Sequence, residues 1–152
     1  MIRVNVEINN KFWFSKIDNP EKYLSKKLRK IKKFIKPINR KNLIFTILLT
    51  NSLNIKKLNK KFRNKNKPTD VLSFPSFDKK KIKHIKQKNF YLGDIAISYE
   101  IINLRSKKKS FTLEFDKAWI HGFLHLLGYD HIKNEDYFKM DRVEKKILNS
   151  IS

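Results

Sequence analysis

His121-Gly122-Phe123-Leu124-His125-Leu126-Leu127-Gly128-Tyr129-Asp130-His131 is the stretch on which the reading of this chain turns. Three of the four histidines fall within these eleven residues. His121 and His125 are four apart, so on a helix they lie one turn apart on one face. Gly128 stands where that helix has to stop, because glycine enters the left-handed cap conformation without steric cost. The chain then turns back and brings His131 towards the first two. Three imidazoles converging on one point, with further coordination positions open, are the usual way of holding a catalytic zinc, one ion per chain.

Upstream, Ser110 is placed to cap the helix, with Glu114 and Asp116 near its positive end. Leu113, Ala118, Trp119, Ile120, Phe123, Leu124 and Leu127 surround nearly all sides of it, so it reads as a buried central helix with histidines projecting into a cleft. Residues 2–8 alternate Ile2, Val4, Val6, Ile8 against polar positions, a strand with one buried face. Pro20 opens a helix carrying Tyr23, Leu24, Leu28, Ile31 and Ile35, which Pro37 ends. Leu43 to Thr50 is a near-continuous apolar run, read as a central strand buried on both faces. Asn51 or Ser52 caps a second helix carrying Leu53, Ile55, Leu58, Asn59 and Phe62 and closed by Arg63. Pro68 to Pro75 reads as an edge strand bracketed by prolines, and Leu92 to Ser98 as a further strand before a short helix, Tyr99 to Arg105. A last helix, about 134–150, packs Tyr137, Phe138, Met140, Val143, Ile147 and Leu148. The Lys-rich residues 78–89 read as a solvated loop or irregular hairpin segment, with His84 an exposed bystander. The expectation is an α+β fold. A single domain over 1–152 has a small mixed sheet of about four strands against the central metal-site helix.

Apolar residues make up 40% and charged residues 33% of the 152, the balance of a soluble globular domain. There is no cysteine, which excludes disulfides and thiolate ligands. The start, Met1-Ile2-Arg3-Val4, does not resemble a signal peptide, and no apolar run approaches a membrane span, so a cytoplasmic protein without membrane contact is expected. The formal charge of +22 suits an RNA partner. Of 36 basic residues 30 are Lys, however, and with abundant Asn and Ile this is also what an AT-rich genome imposes.

The spacing H-x3-H-x2-G-x2-H reproduces the zinc frame of metzincin proteases, but Gly122 stands where those enzymes carry their glutamate base. The same stretch matches, at every defined position, the H-G-x-L-H-L-x-G-Y-D-H signature of the YbeY family of bacterial single-strand-specific endoribonucleases. The resemblance extends to Leu58-Asn59, Arg63, Pro68 to Pro75 and Leu92-Gly93-Asp94-Ile95, in the family's order. It implies a zinc-dependent, zincin-like enzyme acting on ribosomal RNA, with a part in maturation of the 16S three-prime end and in ribosome quality control. It also implies contact with the small ribosomal subunit or its assembly factors, and it matches Arg63 to the arginine the family places beside the histidines.

Neutral histidines leave an ion's double charge intact, which lowers a bound water's pKa towards roughly 7. Water or the RNA's own 2′-hydroxyl can then be the nucleophile, and the sequence does not choose. Either route builds negative charge on the phosphate, for which Arg63 offers a rigid fork. Asp130 is read as turn-forming or as a partner of a metal-bound histidine, Asp70 and Asp94 as structural, and Asp116 as a helix-dipole residue. The general base is unassigned. Trp13, Phe14, Phe74 and Phe77 are core positions by spacing, although exposed aromatics would stack unpaired bases. Two other classes stay open: a metallopeptidase, against which Gly122 counts, and a basic ribosome-assembly factor with a structural zinc, against which three ligands and no cysteine count. Nothing in the sequence demands more than a monomer.

Overall fold

A computed structural model describes residues 1–35, 41–78 and 84–152. Four strands, β1 (Ile2–Ile8), β2 (Asn42–Thr50), β3 (Val71–Pro75) and β4 (Asn89–Ser98), form one sheet in the order β1-β2-β4-β3. β1 and β4 run parallel to β2, while β3 lies antiparallel to β4 at the edge. Five helices complete the fold: α1 (Pro20–Ile31), α2 (Ser52–Arg63), α3 (Tyr99–Arg105), α4 (Phe111–Leu126) and α5 (Asn134–Ile151). This is the α+β arrangement expected, with proline-bracketed β3 on an edge and α4 at the centre.

Strand alternation sorts the sheet into two faces. Val4, Phe45, Ile47, Leu49, Ile95 and Ile97 belong to the main core, which also takes in α1, α4 and α5. Leu72 and Ala96 point to the other face, where Ile55 of α2 joins them in a smaller cluster. Central β2 is therefore not buried on both faces as its run of apolar residues suggested. Its alternate positions Ile44, Thr46 and Leu48 are only half-buried, because α2 is short and covers part of that face.

Asn51 and Ser110 cap their helices as the sequence foreshadowed, and Asn19 adds a cap that it did not. Asn19, Asn51 and Ser110 each accept a backbone N–H three residues on, which satisfies one of the first-turn donors of α1, α2 and α4. α1 ends at Ile31 and tightens into a 3-10 turn, earlier than the periodicity through Ile35 indicated. Pro37, expected to stop it, lies outside the described residues, as do positions 79–83 of the Lys-rich stretch; His84 is exposed.

α4 buries Phe115, Trp119, Phe123, Leu124 and Leu126, with Phe123 tilted against Phe45 at a ring separation of 4.9 Å. Each such side chain contributes about 1.5–3 kcal/mol on leaving water, which outweighs the cost of about 0.5–1 kcal/mol for a glycine inside a helix. Gly122 is the point of closest approach to the sheet. A Cβ there would meet Ile95 Cγ2 at 2.9 Å, Ser73 Oγ at 3.1 Å and Val71 Cγ2 at 3.2 Å. Ser73 Oγ uses the proximity to donate to the Gly122 carbonyl at 3.0 Å.

Asp116 departs from its sequence reading. It is 4% exposed and accepts from Tyr23 Oη at 3.1 Å, from Trp119 Nε1 at 2.8 Å and from Lys27 Nζ, so it ties α1 to α4 rather than serving the helix end. Leu53, Phe62, Tyr137 and Phe138, expected to pack, are instead exposed.

Candidate metal centre

The two helical histidines owe their placement to the packing of α4. With Gly122 against β3 and β4, the next face of the helix, carrying Glu114, Lys117, His121 and His125, lines an open cleft of about 870 Å³. The helix ends in a Schellman cap: Tyr129 N–H donates to the Leu124 carbonyl and Gly128 N–H to that of His125, both at 3.0 Å. Gly128 sits at φ +94°, the conformation that lets the chain reverse. Asp130 Oδ1 then accepts the His131 N–H at 2.7 Å, fixing the turn that carries the third imidazole. Ligand atoms of His121, His125 and His131 all lie within 4.8 Å of one another.

Hydrogen bonds select the nitrogens that face inward. The Tyr129 carbonyl can only accept, so His125 Nδ1–H donates to it at 2.9 Å and Nε2 carries the lone pair. Burial, and after it repulsion from His121 and His131, pushes the His125 pKa down to about 4, so this ring is neutral at pH 7. His121 Nδ1 lies 2.5 Å from Glu144 Oε1 of α5, and an ionised carboxylate makes that nitrogen the donor. In the neutral tautomer of His121 its Nε2 lone pair faces that of His125 across 3.1 Å. Facing acceptors repel, whereas two imidazoles on a tetrahedral zinc stand roughly 3.3 Å apart. The donor set and its spacing fit a metal ion.

Glu144 had no signature in the sequence. It lies 23 residues from its partner, on an amphipathic helix whose other acids are solvated, and only tertiary packing pairs it with a histidine. Arg63, the last residue of α2, lines the same cleft. Its helix ends in a left-handed Asn64 at φ +55°, and buried Asn59 Nδ2 donates to the Lys67 carbonyl at 2.9 Å, which holds the following loop.

The charges around the cleft differ in their pairing. Arg105 is bound to Asp70, Lys117 to Glu114 at 3.3 Å and Lys145 to Asp141 at 2.7 Å. Among the described residues, Arg63 and Lys65 line the cleft with no carboxylate partner. Asp70 also accepts the Val71 N–H at 2.8 Å, the structural role expected of it. Asp94 lies on the sheet face turned away from the histidines, bound to Tyr91 Oη. Trp13 is fully buried and Phe74 and Phe77 half-buried, whereas Phe14 is exposed.

Gly122 also bears on the peptidase reading. A glutamate there would need its side chain in the contact between α4 and the sheet, where not even a methyl group fits without displacing Ile95. The position is closed by packing as well as lacking a base.

Known proteins resemble this chain over nearly its whole length. The family model for Endoribonuclease YbeY matches residues 7–152. The Endoribonuclease YbeY of Pelagibacter ubique is 48% identical, over 99% of this chain and 97% of its own length. That of Bartonella bacilliformis is 36% identical, over 100% of this chain and 94% of its own. The solution structure of TM1509 from Thermotoga maritima superposes with a TM-score of 0.61 at 28% identity, covering 99% of this chain and 89% of that one. With its histidine triad, its mixed sheet and these relatives, the chain belongs to the Endoribonuclease YbeY family.

Proposed function

We propose that this protein is a zinc-dependent endoribonuclease that cuts single-stranded ribosomal RNA. It takes part in maturation of the 16S three-prime end and in ribosome quality control as a cytoplasmic monomer working with the small subunit or its assembly factors. The observation that carries this reading is the convergence of His121, His125 and His131 in an open cleft that Arg63 also lines, in a chain of this family.

A zinc ion held by the triad supplies Lewis acidity towards a phosphoryl oxygen and lowers the pKa of a water towards 7. The residues supply the rest. Glu144 keeps the proton of His121 on Nδ1, and the Tyr129 carbonyl keeps that of His125 on Nδ1, so both rings present Nε2 to the centre. Arg63 binds the non-bridging oxygens of the scissile phosphate and offsets the charge that grows there. It is suited to this because no carboxylate of the cleft neutralises it, unlike Arg105, Lys117 and Lys145.

The test is cleavage of a single-stranded RNA from the 16S three-prime region by chelated, zinc-reloaded and His125→Ala protein. Activity restored only in the reloaded wild type is expected. Arg63→Ala should keep its zinc and lose on the order of a hundredfold in turnover, the scale of one transition-state donor. Retained RNA binding and one bound zinc without any cleavage would replace the enzyme by an assembly factor.

A further inference from the structure

Tyr137 and Phe138 were expected in the core, yet they are 52% and 62% exposed. They touch each other edge to face, with ring centroids 5.6 Å apart. Their position on α5 is informative. Tyr137, Asp141, Glu144 and Leu148 follow the spacing of one helical stripe, and the last three line the metal cleft. Phe138 stands on the same side, three residues before Asp141 and seven before cleft-lining Lys145. The pair thus continues the cleft wall by one turn, towards the segment that carries His131. Ile132, 84% exposed, lines the cleft from that segment. Lys133, Lys139 and Arg142 lie within five residues of the pair in sequence, are exposed, and make no ion pair among the described residues; the acids Glu135 and Asp136 sit in the first turn of the helix.

From this placement we infer that Tyr137 and Phe138 form a stacking platform for unpaired bases of the RNA that enters the metal cleft. Large aromatic faces left in water beside a cleft whose Arg63 and Lys65 carry no carboxylate partner suit a nucleobase, whose π-face stacks irrespective of sequence while such cations follow the backbone. A base held in a duplex has both faces covered by its neighbours, so such a platform favours single strands. The inference rests on the ribonuclease reading and deepens it by locating where the single strand is gripped.

The test uses the zinc-loaded full chain and a short single-stranded RNA with 2-aminopurine placed at successive positions, a base whose fluorescence falls when it stacks. Wild type should quench the probe at one or two positions beside the cut. Tyr137→Ala/Phe138→Ala should abolish that quenching, raise KM about tenfold or more and leave kcat and zinc content unchanged. Phe138→Trp on the Tyr137→Ala background should restore part of the quenching. An abasic site at the same positions should weaken wild-type binding and leave the double variant indifferent. Wild type that binds and cuts RNA, together with a double variant of equal KM and quenching, would overturn the platform and leave the ribonuclease standing. A double variant that differs only in self-association would also overturn it. Wild type that fails to bind RNA would overturn both.

Discussion

Replacing Gly122 by alanine isolates the contact that sets the depth of the metal-site helix. Alanine brings a helix-propensity gain of about 1 kcal/mol. Against it stands a methyl group 2.9 Å from Ile95 Cγ2 and 3.2 Å from Val71 Cγ2. Ile95 is fully buried and the colliding Cγ2 is a methyl on its branched Cβ, so it cannot swing aside as the tip of a long side chain would. Overpacking of this kind costs about 1–3 kcal/mol. The bond from Ser73 Oγ to the Gly122 carbonyl, worth about 1 kcal/mol, lengthens as the helix backs away. The net expectation is a loss of about 1–2 kcal/mol, or about 2–8 °C in Tm for a domain of this size. Urea denaturation of the metal-free protein, with a lower midpoint at unchanged slope, measures it. Gly122→Val should lose more, and Gly122→Glu should fail to fold rather than acquire peptidase activity. An alanine variant as stable as wild type would refute the reasoning, since it would show room between α4 and β3.

Three further outcomes are expected. Asp116→Ala leaves Lys27, Tyr23 and Trp119 without their shared acceptor and should cost about 3–5 kcal/mol by urea denaturation, part of it recovered by adding Lys27→Met; a cost near zero would mean that α1 docks without the carboxylate. Glu144→Gln should weaken zinc binding about 10–100-fold in competition with a chromogenic chelator while the melting curve of the metal-free protein holds, and unchanged affinity would show that His121 needs no carboxylate to orient it. His125 has a folded pKa near 4 against an ordinary 6.5, so the unfolded chain takes up its proton first as pH falls. The stability this ring contributes to the metal-free protein is complete above pH 6.5 and lost from there down towards 4, and His125→Gln should flatten that part of the profile.

The parts legible in the sequence were those governed by local rules. The capping residues Asn51 and Ser110, period-two alternation in β1, the prolines around β3 and the spacing of the three histidines all act over a few residues, so they survived into the structure. What stayed hidden depends on distant packing. Asp116 looks like a helix-end acid until α1 brings Tyr23 and Lys27 to it. Glu144 looks like one more solvated acid until α5 crosses α4. Gly122 shows as a missing base in the sequence, and only the sheet beneath it reveals that a side chain has nowhere to go. Tyr137 and Phe138 misled in the opposite sense: apolar residues on an amphipathic helix are assigned to the core by default, and nothing local says that the core stops one turn short of them.

The three imidazoles stand on supports of unequal stiffness. His121 and His125 belong to a helix locked into the core, whereas exposed His131 rides on a turn shaped by the Gly128 cap and by Asp130. Opening of that turn, a loop motion of the nanosecond-to-microsecond class, would remove one ligand while the helix and sheet stay folded. Metal release and fold stability would then be separable: removing an ion with a chelator should loosen this turn and leave α4 and the sheet folded.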